Sequence, residues 1–155
     1  MACKSGTQTG RERIHGRTNP TIERLRHITL FSACTTEELT LISARITQHH
    51  AKAGDVLTRE GGFGHEFMVI VEGTAQVVVA DREIAVLGPG DFFGEIALLD
   101  DGTRTASVIA ETDLVAEVSG QREFADLLIG APGLARELLV GLARRLRAAD
   151  LQLTA

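Results

Sequence analysis

The rhythm of the middle of the chain constrains the fold most. After Gln48, short apolar segments recur about every ten residues, separated by turns rich in glycine and aspartate. The segments are 56–58, 67–71, 75–80, 84–87, 105–110 and 114–118, with residues 80–83 reading as a hairpin turn. Short strands at that spacing predict a small antiparallel β-barrel or jelly roll. With 155 residues, the chain has room for one such core and little more.

Helical patterns flank the strands. Pro20 and Thr21 open a stretch in which Ile22, Leu25 and Ile28 share one face. Thr35 stands three residues before Glu38, the spacing of a capping box, and Leu39, Leu41, Ile42 and Ile46 continue that helix. From Gln121 the period is helical again, and Pro132 can open a last long helix because its missing N–H costs nothing there. Ala135, Leu139, Leu142, Leu146, Ala149 and Leu153 form one apolar stripe along it. Such a stripe predicts core packing, and its run of under three heptads also offers a route to a homodimer. The expected class is therefore mainly β with flanking helices, with a flexible tail over residues 1–19 and one domain over 20–155.

Composition excludes several functions. The chain has no Trp or Tyr and six Phe, so base stacking cannot carry single-stranded nucleic acid binding. A net charge of -5 argues against a DNA-coating surface. Lys4, Arg11, Arg13 and Arg17 make only the tail basic. Cys3 and Cys34 form no CxxC, which suits reduced thiols in a cytoplasmic protein. No apolar run is long enough to span a membrane. His49 and His50 alternate along a strand, and His65 follows the glycine-rich loop 61–64, so no metal cluster of the cupin kind is expected. That loop reads as a hairpin connection, since no Gly-Lys-Ser/Thr follows. Ser107 lacks a nucleophile elbow, and catalysis is not expected.

Chemistry concentrates in residues 90–110, GDFFGEIALLDDGTRTASVIA. Gly94 frees the backbone for positive φ or for close approach to a ligand. Residues 95–98 suit one short helical turn whose first N–H groups lack internal partners, which attracts an anion. Arg104, after a turn containing Gly102, can bring a guanidinium fork to the same anion, and a phosphate matches that fork. Glu95 would repel a phosphate, so it must face another group, and a sugar hydroxyl is a natural donor.

This segment resembles the phosphate-binding cassette of cyclic nucleotide-binding domains. The resemblance lies in Phe93-Gly94-Glu95-Ile96-Ala97-Leu98 followed by Arg104-Thr105-Ala106. Gly88-Pro89-Gly90-Asp91, Glu72-Gly73 and the order of helices, barrel and helix agree with it, over about residues 20–150. The resemblance implies that Glu95 accepts from a ribose 2′-hydroxyl, aided by the Gly94 backbone. It implies that Ile96 and Ala97 offer backbone N–H groups to a cyclic phosphate, that Arg104 pairs with it, and that Thr105 adds a hydroxyl. The base would lie between the barrel and a closing terminal helix, with Leu142, Arg145, Leu146 and Ala149 as candidates there. Cyclic AMP is the expected ligand and cyclic GMP the contender, because Thr105 suits a syn guanine. No other cofactor is expected. The implied protein is a sensor with an unknown protein effector, and no helix-turn-helix pattern follows Leu153. The alternative is a barrel that keeps the fold as an interaction module, or a piece of a transcription regulator, channel or enzyme. The intact Gly94, Glu95, Ala97 and Arg104 argue against decay.

Overall fold

The structure, a computed structural model, describes residues 19–100 and 102–154. The predicted tail therefore lies outside the described residues, Asn19 apart. Helices α1 (Pro20–Arg26) and α2 (Thr36–Ser43) are joined by a 3-10 turn, Thr29–Phe31. Strands follow as β1 (Thr47–Ala51), β2 (Val56–Thr58), β3 (Glu66–Glu72), β4 (Ala75–Val79), β5 (Arg82–Leu87) and β6 (Phe92–Phe93). The short α3 (Glu95–Leu99) interrupts them before β7 (Ser107–Ala110) and β8 (Leu114–Gly120), and α4 (Gln121–Gly130) and α5 (Pro132–Thr154) end the chain.

Two antiparallel four-stranded sheets, ordered β1-β8-β3-β6 and β2-β7-β4-β5, make the predicted jelly roll. Strand β3 explains the packing of both cores. Its Met68 and Ile70 point into the barrel with Phe93, Val108, Leu114 and Ala116. Its Phe67 and Val69 point the other way, into a second core with Leu25, Leu39, Phe124, Leu127 and Leu134. A strand covered on both faces reads as an unbroken apolar run, which is why 67–71 stands out in the sequence. On the neighbouring β8, the buried Glu117 accepts two bonds from Arg24 of α1, at 3.2 and 2.9 Å.

Local signals set the helix starts. The Asn19 side chain accepts from the Thr21 N–H, Thr35 Oγ1 accepts from the Glu38 N–H at 3.1 Å, and Pro132 is the first residue of α5. Several boundaries differ from the expected ones, three of them as follows. Helix α2 stops at Ser43, before Ile46. Strand β5 already begins at Arg82, because Ala80 and Asp81 alone make the hairpin turn at φ 50° and 61°. Strand β7 starts at Ser107, because the main chain of Arg104 pairs instead with the loop at Gly61 and Gly62.

The apolar stripe of α5 needs a larger correction. Leu139 and Leu146 are 68% and 65% exposed, whereas Leu134 and Leu138 are buried. The helix seats on the rest of the molecule through Leu134, Leu138, Gly141 and Arg145, one position round from the stripe. A Cβ on Gly141 would stand 2.8 Å from the Phe92 ring, so only glycine allows this approach.

Candidate functional site

A cavity of ≈ 440 Å³ opens between the second sheet, the segment around α3, and α5. Its size is that of a small-molecule site. Its polar lining is Thr58, Asp91, Glu95, Arg104, Thr105 and Arg145. Val77, Ala85, Val86, Leu87 and Val108 form an aliphatic wall.

Arg104 is 7% exposed and is held by main-chain oxygens. Its Nη1 donates to Gly94 O at 2.9 Å and its Nη2 to Glu66 O at 2.7 Å. Two glycines make room for it. A Cβ on Gly64 would lie 1.6 Å from Arg104 Nε, and one on Gly94 would lie 2.6 Å from Nη1. Gly94 also sits at φ 94°, in the left-handed region. Burial lowers the pKa of Arg104, opposed by Glu66 and Glu95. No carboxylate forms a salt bridge with it among the described residues. It is a buried cation whose other N–H donors make no hydrogen bond among the described residues.

Glu95, the first residue of α3, is 1% exposed. Its Oε1 accepts from Arg145 Nη1 at 2.8 Å, while Oε2 is buried and has no partner. Burial raises its pKa, against the opposing pull of Arg145 and Arg104. Arg145 also donates to Phe92 O and lies 4.3 Å over the Phe92 ring centroid, a cation–π contact. Helix α5 is thus tied to the cassette by one side chain.

The cavity brings together Phe93, Gly94, Glu95, Arg104, Thr105, Ala106 and Arg145. Ile96 and Ala97 are the second and third residues of α3. Leu142 is elsewhere. It lines a second, apolar cavity of ≈ 210 Å³ with Glu95, Leu99, Leu128, Leu138 and Leu139. The reason is the rotation of α5 already described, which gives Arg145 and not Leu142 the position over the cassette. The sequence reading missed Thr58, Phe92 and the wall residues Val77, Val86, Leu87 and Val108. A wall strand carries only its alternation as a signal. It also missed that the loop 61–64 shapes the site, since its role is to lack side chains beside Arg104. Among the described residues no group of three metal-ligating side chains occurs, and no helix is long and apolar enough to cross a membrane.

A jelly roll with a buried arginine and a buried glutamate on one cavity defines a class of small-molecule-binding β domain. Residues 48–129 match the family model described as "Cyclic nucleotide-binding domain", and the chain belongs to that family. A cAMP-dependent protein kinase regulatory subunit from Hypocrea atroviridis is 36% identical over 72% of this chain and 24% of its own length. A cGMP-dependent protein kinase from Caenorhabditis briggsae is 35% identical over 70% of this chain and 15% of its own length. The crystal structure of Thermus thermophilus catabolite activator protein is similar at a TM-score of 0.73 and 32% identity, covering 81% of this chain and 61% of that one. This chain spans less than two thirds of each of these relatives.

Proposed function

We propose that this chain binds a cyclic mononucleotide in the cavity and acts as a non-catalytic sensor. One observation carries the reading. A buried guanidinium without a carboxylate partner and a buried carboxylate oxygen without a donor share one cavity. Two carbonyls hold the guanidinium but leave its charge unneutralised, a buried oxygen without a donor is costly, and a ligand bearing an anion and a hydroxyl answers both. In this reading the cyclic phosphate meets Arg104, the N–H groups of Ile96 and Ala97, and the Thr105 hydroxyl. The ribose 2′-hydroxyl donates to Glu95 Oε2. The base lies on the aliphatic wall and under α5.

We favour cyclic AMP, with cyclic GMP as contender. Relatives named for each nucleotide occur, and the wall offers a base shape more than hydrogen bonds. The signal is a population shift: nucleotide favours the state in which α5 stays docked through Arg145 and Glu95, and an effector protein reads that state. The exposed Leu139 and Leu146 suit pairing with a second copy through α5. A cytoplasmic setting fits the ligand and the buried free thiol of Cys34.

Isothermal calorimetry with each nucleotide tests the reading. Saturable heat with at least one is expected, tighter for cyclic AMP. No heat with either at millimolar concentration would overturn it. Sedimentation of the same sample tests the pairing: a monomer at all concentrations, with and without nucleotide, would remove it.

A further inference from the structure

Helix α5 leaves α4 at the corner Gly130-Ala131-Pro132-Gly133, and α2 is built against that corner. A Cβ on Gly130 would come within 2.4 Å of Leu41, and one on Gly133 within 2.8 Å of Ala33 O and 2.9 Å of Glu38 Oε2. The first turn of α5 has an unusual need. Ala131 accepts the first helical bond, from the Ala135 N–H, so it holds the N-cap position, yet its side chain has no acceptor. Pro132 has no N–H. The first free donor, Gly133 N–H, instead donates to Glu38 Oε2 at 2.9 Å, across 95 residues of chain. The other carboxylate oxygen, Oε1, accepts from Thr35 Oγ1 at 3.4 Å, and the Glu38 N–H is capped by that same hydroxyl. Cys34 lies in the same joint, against Glu38 and the Leu134 amide, and burial pushes its thiol up to about 12. Glu38 therefore serves two helices with one carboxylate, and a negative charge suits the positive end of the 23-residue α5.

We propose that Glu38 is a positioning residue: it clasps the pivot of α5 to α2 and thereby sets where α5 presents Arg145 to Glu95. The effect on nucleotide affinity rests on the function proposed above; the clasp itself does not. The helix supplies leverage. Twelve residues separate Gly133 from Arg145, about 18 Å of helix, so a tilt of about 10° at the pivot moves Arg145 by about 3 Å. Hydrogen bonds tolerate far less than that.

The test compares Glu38→Ala, Glu38→Gln and Thr35→Ala in the full chain. Amide exchange is followed at Gly133 and at residues 141–147, and calorimetry uses cyclic AMP and cyclic GMP. Glu38→Ala should speed exchange of Gly133 about tenfold, speed exchange at 141–147, and weaken nucleotide about fivefold, the loss of one hydrogen bond. Glu38→Gln keeps an acceptor and should restore most of each effect. Thr35→Ala loses the α2 cap and the long 3.4 Å bond to Glu38 Oε1 but leaves Oε2 on the Gly133 N–H, and should leave both exchange sites near wild type. Unchanged Gly133 exchange in Glu38→Ala would remove the clasp. Equal effects of Thr35→Ala and Glu38→Ala would reduce Glu38 to a cap of its own helix. Faster Gly133 exchange with 141–147 unchanged would cut the coupling to Arg145. If the wild type binds neither nucleotide, the ligand reading fails, while the two exchange sites still decide the clasp and its coupling.

Discussion

Two arginines border the cavity and are held in opposite ways. Arg104 belongs to the barrel side, is buried, and is gripped by two carbonyls, with no carboxylate forming a salt bridge to it among the described residues. Arg145 belongs to α5, is half-exposed, and spends its charge on Glu95 and the Phe92 ring. Carbonyl oxygens orient a guanidinium without neutralising it, so Arg104 keeps its charge, which the proposed function assigns to the nucleotide phosphate. A carboxylate neutralises, so Arg145 is already satisfied and works as a tether. In the proposed function this pattern separates a fixed binding group from a releasable one. Glu95 gives one oxygen to Arg145 and keeps the other without a partner.

The largest expected effect is on the fixed member. Arg104→Ala should weaken nucleotide by about 1.5–3 kcal/mol, roughly ten- to a hundredfold. The ligand-free protein should melt at nearly the same temperature, because two opposing changes meet. Gly94 O and Glu66 O lose their donors, while the cost of burying a charge is relieved. Thermal melts with and without nucleotide check both halves. Arg104→Lys should not rescue binding, since a point charge cannot serve two carbonyls and a phosphate together. Rescue by lysine would mean that charge alone, and not the held fork, does the binding.

The next effect concerns pH and lies on Glu95. Burial raises its folded pKa above the usual carboxylate value, and its ordinary pKa returns on unfolding. For an acid this means that the fold holds the proton more tightly than the unfolded chain. The contribution to stability is therefore present at low pH and is lost as pH rises through the folded pKa. Binding has the opposite sign. A hydroxyl donating to Oε2 favours the ionised form, so affinity should be highest above the raised pKa and fall as pH drops through it. Calorimetry across pH should show proton release on binding in the wild type and none from this group in Glu95→Gln. Arg145→Ala sharpens the comparison. Without its tether Glu95 loses its strongest counter-charge, so the midpoint of the affinity curve should move to higher pH. A midpoint that stays put would show that Arg145 does not hold the carboxylate in solution.

What could be read from the sequence follows the same division. The barrel was legible because the half-buried and doubly buried strands leave alternation or apolar runs, as at 67–71. The barrel half of the site was legible because Gly94, Glu95 and Arg104 are chemical specialists at fixed spacing. The helix half was not. The face of α5 that meets the barrel changes character along its length, from Leu134 and Leu138 to Gly141 and then Arg145. It begins over an apolar core and ends over a polar cavity, so apolar periodicity selects the exposed Leu139 and Leu146 beside the half-buried Leu142 and passes over Gly141 and Arg145. The support of Arg104 was equally hidden. It comes from two carbonyls and from the empty side of Gly64, and neither main-chain oxygens nor missing side chains have a residue signature.

The smallest expected effect tests whether that hidden face matters. Gly141→Ala removes a glycine from the interior of a long helix, which favours the helix by about 1 kcal/mol. The new Cβ would meet the Phe92 ring at 2.8 Å, and relieving such overpacking costs about 1–3 kcal/mol. Because Phe92 is buried, the helix and not the ring has to give. Global stability should therefore change by about 1 kcal/mol or less, the two contributions largely cancelling. The local result should be one-sided. A helix lifted off Phe92 also withdraws Arg145, whose guanidinium lies over that ring and whose second donor uses the Phe92 carbonyl. Amide exchange at 141–147 should thus be faster in Gly141→Ala despite its higher helix propensity, and nucleotide affinity should fall about twofold to threefold. Slower exchange with unchanged affinity would mean that propensity wins, and that α5 needs no close approach at Gly141 to keep Arg145 on Glu95.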